Sequence, residues 1–514
     1  MLKGTIFIVT GMLLSSREIS MKMSLTMFVI FFVCGCFLKG IALSVIRALF
    51  CIFLFITVLN IKLKDKPIYA ILRKISTIMY FIHLYVWTFY YIIVYKEKTY
   101  GLDNFFITVC VSIAISIIYI FIKESRKIKV KEKINKHLHI VFGDEHYNPL
   151  GIIRSLGEEG IRPIAIIIKN QRQIASKSKY ISKLHIVNTM EDGYRLLLDK
   201  YGNEENKPFL YTSDDKLTNF LDNNYNELKD KFYFFNAGKT NGISEFMDKE
   251  NIIKLASKHG LNIAKTWTVT PGEIPDDIQY PIITKAIIST LDNWKDDVFI
   301  CNNENELKEA FKHIRSKKVL LQQYIQKKNE LCIDGYSVSH GEKVFYAIAS
   351  NYNYIIEGSY SHYMTVKNCK NKELEDKLSA MFKEIGFEGI FSIEFLIDNY
   401  DRLYFLEINF RNSTWSYAST KAKMNLPILW AEAMLDSSIV DKSYNEITKE
   451  FTAMVEPDDF RNRVKTHKIS LFKWIKEVFE CRCLYYFSIR DIKPAVGIVT
   501  SKIKRKRLNK NESK

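Results

Sequence analysis

The hydrophobic texture of this 514-residue chain changes near residue 137, and that change limits what it can fold into more than any other feature. Upstream, apolar runs follow one another at roughly 2–14, 24–38, 41–61, 76–95 and 105–122. A helix needs about 20 apolar residues to cross a bilayer core; the last three runs are near that length and the first two are short. Downstream, apolar stretches shrink to strand length and alternate with amphipathic segments, the pattern of an α/β protein. Strands are expected at 138–142 and 161–168 with a helix at 148–159 between them, opening a small α/β module that runs to about residue 240.

Charge divides the chain in the same way. Residues 1–135 carry 18 basic and 6 acidic side chains, residues 461–514 carry 16 and 4, and the stretch between carries 40 and 47. Basic flanks beside apolar runs favour anionic lipid, and without a reading module or basic residues interleaved with aromatics no nucleic-acid partner is expected. The nine cysteines form no C-x-x-C pair, which predicts reduced thiols rather than a disulfide framework or a zinc site. With 21 Gly, 10 Pro and 13% aromatics, collagen-like and wholly disordered classes are excluded.

The succession of apolar runs, with no small-residue cleavage site, argues against a cleavable signal peptide and for a multi-pass N-terminal region at about 1–125. Lys62, Lys64, Lys66, Arg73 and Lys74 follow the third run, and Lys123, Arg126, Lys127, Lys129, Lys131 and Lys133 the fifth; the other gaps hold fewer. Cytoplasmic loops are enriched in Lys and Arg, so the expected location is a multi-pass inner (cytoplasmic) membrane protein with its α/β part in the cytoplasm. His83 reads either as a functional intramembrane group or as a packing histidine bonded to a neighbouring helix.

The segment that carries the most chemistry is Glu407-Ile-Asn-Phe-Arg411, apolar at 408 and 410 and polar at 407, 409 and 411. A strand's period of two puts the three polar side chains on one face. Glu394 lies on the preceding strand pattern, and residues 398–402 between them are turn types. A hairpin centred between Tyr400 and Asp401 pairs Glu394 with Glu407. Like charges directly opposite destabilise a ladder, and a cation between them is the simplest compensation. Mg²⁺ (or Mn²⁺) accepts such oxygens together with nucleotide phosphates, so Glu394, Glu407 and Asn409 are the expected metal ligands. The alternative is a surface hairpin with solvated polar residues. Arg411 continues the face and, permanently charged, suits a phosphate or carboxylate, with a catalytic role in stabilising a transferring phosphoryl group or an oxyanion. Lys285 ends the buried-strand pattern Tyr280-Pro-Ile-Ile-Thr-Lys285, which would expose its ammonium at a cleft edge for phosphate pairing.

These segments resemble the ATP-grasp ligases. The amphipathic stretch 248–259, closed by Gly260 and followed by Leu-Asn-Ile-Ala-Lys-Thr-Trp, is similar to the family's opening helix, and the resemblance puts Lys249 near the nucleotide; a solvated helix-face lysine is the alternative. The segment 280–285 looks like the strand whose lysine reaches the phosphates of ATP, and 319–325 like the hinge that grips adenine. The resemblance implies adenine contacts from Gln322 and the backbone of Tyr324 and Ile325, with Glu330 at the ribose or simply exposed. Segments 389–397 and 403–411 look like the two catalytic strands, and the likeness covers residues 137–455. Two departures stand out. The loop 286–294, where relatives carry a lid of small residues, has no glycine, and Lys423 occupies a position before Asn425-Leu-Pro427 where relatives tend to have glycine. Separately, Leu72-Arg-Lys-Ile-Ser-Thr-Ile-Met-Tyr-Phe-Ile-His-Leu84 resembles the closing helices of the acyltransferase-3 membrane family.

The implied architecture is an N-terminal α-helical multi-pass membrane segment, a pre-ATP-grasp α/β module at 137–240, an ATP-grasp domain at 245–455 and a basic tail at 460–514. The implied function is a membrane-tethered carboxylate–amine ligase using ATP and Mg²⁺, with an amino acid as carboxylate and a lipid-linked envelope precursor as amine. The alternative is a nucleotide-binding, non-catalytic regulatory module for an envelope acyltransferase.

Overall fold

The computed structural model describes residues 25–27, 29–31, 33, 34, 46, 49, 67–94, 106–119, 133–170, 172–286, 297–356 and 360–498. Residues 1–127 form one compact unit and residues 128–514 another.

In the first unit, α1 spans Pro67–Val94 and α2 spans residues 106–119. Among the described residues no helix is long and apolar enough to cross a membrane. This corrects the expected multi-pass segment and the inner-membrane location drawn from it. The apolar look of α1 owes much to Tyr80, Tyr85, Trp87 and Tyr90, whose rings carry polar atoms, and it includes Arg73, Lys74 and His83. Nδ1 of His83 bonds to the carbonyl of Tyr80 in its own helix at 2.7 Å. The runs at 2–14 and 41–61 fall wholly or largely outside the described residues, and about half of 24–38 does.

The second unit opens with a four-stranded parallel sheet of order β3-β2-β1-β4, formed by β1 (His139–Asp144), β2 (Ile164–Ile168), β3 (Lys183–Val187) and β4 (Phe209–Tyr211). β1 lies between β2 and β4, so the connections diverge at β1 and β4 and open a crevice at their carboxyl ends. Helix α3 (Tyr147–Glu158) follows β1 where His146 Nδ1 accepts the Asn148 amide, and α4 (Met190–Tyr201) starts where Thr189 accepts the Asp192 amide. Ile140, Phe142, Ile166, Leu197 and Leu210 fill one face of the sheet. Helix α5 (Asp215–Asn223) begins just past β4, capped by Asp214.

Two further sheets follow. Helix α6 (Lys249–Lys258) is capped by Asp248, whose Oδ1 accepts the Glu250 and Asn251 amides, and is succeeded by Gly260 at φ +72°. An antiparallel sheet of order β5-β8-β6-β7 contains β5 (Thr266–Val269), β6 (Ile282–Ala286), β7 (Ile300–Cys301) and β8 (Val319–Gln323). Helix α7 (Glu304–His313) supplies Leu307 and Phe311 to a core shared with Ile282 and Leu321.

The large sheet has seven strands in the order β13-β12-β9-β10-β11-β14-β15. They are β9 (Asn329–Val338), β10 (Lys343–Tyr352), β11 (Tyr363–Lys367), β12 (Gly389–Ile397), β13 (Leu403–Asn409), β14 (Phe451–Met454) and β15 (Cys483–Leu484). Helix α8 (Lys372–Ile385) buries Leu378, Met381 and Phe382. Gly335 on β9 permits the close packing here, since a Cβ would sit 2.1 Å from the Phe345 carbonyl oxygen and 2.7 Å from the Phe391 ring. Helices α9 (Ser416–Lys421) and α10 (Leu426–Leu435) place buried Trp430 against Phe209, Tyr211 and Phe235, joining the large sheet to the first one. The cysteines among the described residues are free thiols.

Candidate active site

The β12–β13 hairpin is tied at its turn by Asp398, whose Oδ1 accepts the Tyr400 and Arg402 amides and whose Oδ2 accepts Arg402 Nε at 2.7 Å. Pairing starts at Ile397–Leu403 and runs through Phe395–Phe405, then slips by one residue past Leu406 so that Glu394 stands opposite Glu407. The pair expected from symmetry about residues 400 and 401 is present, because a bulge offsets a turn that centres on Tyr400.

On the other side, β12 pairs with β9, setting Glu394 beside Cys332, Ser392 beside Asp334 and Leu396 beside Glu330. Alternation then brings Glu330, Asp334, Glu394, Glu407 and Asn409 onto one face. Burial raises the Glu394 carboxyl well above its ordinary value, reinforced by Glu407 and then Glu330 and opposed by Arg411. Asn409 Nδ2 donates to Glu394 Oε1 at 3.0 Å, while its Oδ1 accepts from Arg411 Nη2 at 2.9 Å.

Lys285 approaches from β6. Burial lowers its pKa to about 8, helped by the Lys249 ammonium and resisted by Glu407 and Glu330. Those influences bring residues from α6, β6, β9 and β13 to one cleft. The Lys285 ammonium donates to Gln322 Oε1 at 2.7 Å, and Gln322 Nε2 donates to Thr266 Oγ1 at 3.0 Å. Gln322 is therefore held by β5 and β6. The Tyr324 amide donates to the Pro281 carbonyl at 3.0 Å, so it is not the free hinge donor that an adenine contact needs. Ile325 is partly exposed beside it. Glu330 accepts Lys327 Nζ at 2.7 Å.

Arg411 lies two residues past the end of β13, and its partner was not anticipated. Nε and Nη2 donate to the two carboxylate oxygens of Asp215 at 2.6 and 2.7 Å, a bidentate pair that joins the large sheet to the first one at its crevice. Around that crevice burial and then Asp214 push Asp144 up to about 6, while burial, Arg172 and Arg411 lower His146 to about 4. Asp334 was also missed. Its Oδ1 accepts Ser413 and Ser416 hydroxyls at 2.8 Å, pinning the loop that leaves Arg411, and burial raises its pKa to about 6 against those bonds. The period-two run Glu330-Leu-Cys-Ile-Asp334 carried that signal; the acidic pair Asp214-Asp215 after a buried strand carried the other.

Among the described residues, no group of three or more His, Cys, Asp and Glu side chains is arranged to hold a metal by itself. Two facing carboxylates still suit Mg²⁺, which completes its shell with phosphate and water oxygens. Glu394 and Glu407 facing each other, with Glu407 disfavouring the ionisation of Glu394, is the observation that favours such a cation. Asn409 is the weakest of the three expected ligands because Arg411 already holds its oxygen.

Residues 254–416 match the ATP-grasp domain family. The chain carries an ATP-grasp domain. The match covers β5 to β13 and the start of α9, so the α/β ATP-grasp fold and the family of ATP-grasp ligases expected from the sequence are those this region matches. N5-carboxyaminoimidazole ribonucleotide synthase of Staphylococcus aureus strain COL is 27% identical over 135 residues, 26% of this chain and 35% of the relative. The strain MRSA252 enzyme is 26% identical over the same length. The chain thus spans about a third of the curated relatives it matches. Among solved structures, L-amino acid ligase from Bacillus licheniformis has a TM-score of 0.49 at 13% identity, covering 62% of this chain and 80% of that one. N5-carboxyaminoimidazole synthetase from Staphylococcus aureus has 0.48 at 15%, covering 64% and 86%. The matched region begins at 254, so these findings lend no support to the acyltransferase-3 resemblance of residues 72–84.

Proposed function

We propose that this chain is an ATP-dependent carboxylate–amine ligase, with a substrate-side module at 137–240, the ATP-grasp domain at 245–455 and a basic region at 460–514. One observation carries the reading: Glu394 and Glu407 stand opposite each other in the β12–β13 ladder, within electrostatic reach of Lys285 and Arg411. A carboxylate oxygen of the substrate attacks the γ-phosphorus of ATP and the bond to ADP breaks, giving an acyl phosphate. An amine then attacks the acyl carbon, phosphate leaves with the bonding electrons, and the amine loses a proton. Bound Mg²⁺ neutralises phosphate charge in this chemistry. Glu394 and Glu407 would hold the metal, Lys285 and Lys249 would pair with phosphates, Gln322, Tyr324, Ile325 and Glu330 would line the nucleoside end, and Arg411 would sit where the acyl group is handed over.

An amino acid is the favoured carboxylate, because the crevice beside Arg411 offers both a guanidinium, Arg172, and carboxylates, Asp144 and Asp214, to a zwitterion. The lipid-linked acceptor is not retained, since it depended on the membrane segment corrected above. The bidentate hold of Asp215 on Arg411 favours a second reading, nucleotide binding without ligation. Phosphate release by the purified full chain with ATP, Mg²⁺ and pooled D- and L-amino acids separates the two. Release that needs amino acids and is lost in Glu407→Gln supports the ligase; ATP binding with no stimulated release supports the second reading. The expected lid loop, residues 286–294, lies outside the described residues beyond Ala286.

A further inference from the structure

The helix α11 (Leu471–Glu480) turns its apolar side away from the protein. Phe472 and Phe479 are 84% and 86% exposed, and Leu471 and Ile475 share their face at helical spacing. No residue of this helix is buried. The orientation is fixed by the opposite side: Trp474 Nε1 donates to Asp459 Oδ2 at 2.9 Å, its ring meets Phe460 edge-on, and Glu477 pairs with Arg463 at 2.7 Å. Ser470 caps the start by accepting the Lys473 amide. A polar latch therefore holds a well-formed helix with its phenylalanines in solvent.

Basic side chains flank the exposed face. Lys473 and Lys476 follow the phenylalanines around the helix, Lys476 with Glu480 at 3.8 Å and Glu477 turned to Arg463, and the region 461–514 as a whole carries 16 basic against 4 acidic residues. Beside the helix, a cavity of about 360 Å³ is lined by Arg461, Lys465, Phe460, Trp474, Pro457 and Glu456. The Glu456 carboxylate accepts the amides of Tyr485, Tyr486 and Phe487 and Arg461 pairs with Asp458 at 2.9 Å, which leaves the Lys465 ammonium at the cavity's rim. Aromatic side chains over a cationic rim are the composition of helices that lie in the lipid interface. A second copy of the chain would bring two strongly basic regions together, which disfavours self-association through this face.

We propose that α11 docks unit 128–514 on an anionic lipid surface, with Phe472 and Phe479 entering the headgroup layer and the neighbouring lysines meeting lipid phosphates. A helix that lies in the interface crosses nothing, so this is distinct from the multi-pass expectation overturned above.

The test is sedimentation of the full chain with vesicles of phosphatidylcholine alone or with phosphatidylserine. Wild type should bind the mixed vesicles, and Phe472→Ser/Phe479→Ser and Lys473→Glu/Lys476→Glu should each weaken that binding about tenfold or more. ATP affinity unchanged in both variants shows that they fold. Mixed-vesicle binding equal in wild type and variants would overturn the proposal. So would absence of binding, or a concentration-dependent dimer or a protein partner lost in the phenylalanine variant without any loss of vesicle binding.

Discussion

Two cations enter the candidate site from opposite sides, and the protein treats them differently. Arg411 comes from the large sheet and meets Asp215 through two short hydrogen bonds, so its charge is answered within the fold. Lys285 comes from β6 and donates to the neutral Gln322 oxygen, with Lys249 working against its charge and Glu407 and Glu330 supporting it from a distance. Across the cleft, Glu394 and Glu407 stand opposite each other, with Arg411 and Lys285 in electrostatic reach. Compensated charges hold modules together; uncompensated ones store a cost that a ligand of opposite charge removes. The difference separates the junction from the ligand site without any ligand in view.

The comparison breaks most readily at the glutamates. Glu407→Gln should lower amino-acid-dependent phosphate release by roughly 10²–10³-fold. Its thermal stability should stay equal or rise, because one of two facing carboxylates is gone. A coupled phosphate assay beside a melting curve reads both, and a large stability loss would show the pair to be structural.

The two cations should then part company on truncation. Asp215→Asn removes the answer to Arg411 and should destabilise the chain by about 1–3 kcal/mol, less than for a fully enclosed pair because Asp215 is a third exposed. Lys285→Met removes a buried cation whose hydrogen-bond partner is neutral and should stabilise the ligand-free chain by on the order of 1 kcal/mol while weakening ATP binding. Opposite shifts in chemical denaturation midpoint are the expected result; shifts of the same sign would erase the distinction.

A pH series sharpens it further. The folded Lys285 gives up its proton near 8 and the unfolded one near 10.5, so between these values the unfolded chain holds more protons and stability rises with pH. Glu394 does the reverse: the folded chain keeps a proton that the unfolded one has lost, and stability falls as pH climbs from 4.5 towards the raised value. The contribution of these two groups should therefore pass through a minimum near pH 8. Denaturation at graded pH, wild type against Glu394→Gln, should show the acid-side fall disappearing in the variant.

Much of this was legible in the sequence where periodicity does the work. Glu407, Asn409 and Arg411 alternate with apolar residues, so their shared face could be read from spacing, whereas the Glu394–Glu407 pair came out as expected because a one-residue bulge offsets a turn centred on Tyr400. Asp248 as cap and Gly260 as stop framed α6 to within a residue. Long-range partners were not legible. Asp215 lies 196 positions from Arg411, and nothing local to either signals the other. Apolar counting also misled: it gave tyrosine and tryptophan the weight of leucine in α1, and it could not see that the apolar side of α11 faces outward.

The smallest effect concerns Lys423, where the glycine usual in relatives is replaced. The structure gives the reason for that usage: Lys423 follows α9 with φ at +65°, the left-handed region where a Cβ crowds the carbonyl. Its amide donates to the Thr420 carbonyl at 3.0 Å, so the conformation closes the helix and is not free to relax. Lys423→Gly removes the crowding but loosens the unfolded chain, and the two terms oppose each other. A net gain of up to about 1 kcal/mol in denaturation is expected, with phosphate release unchanged. If activity instead fell with stability intact, the lysine side chain itself would belong to the acceptor end of the cleft, and the ligand region would extend past Arg411 to the start of α10.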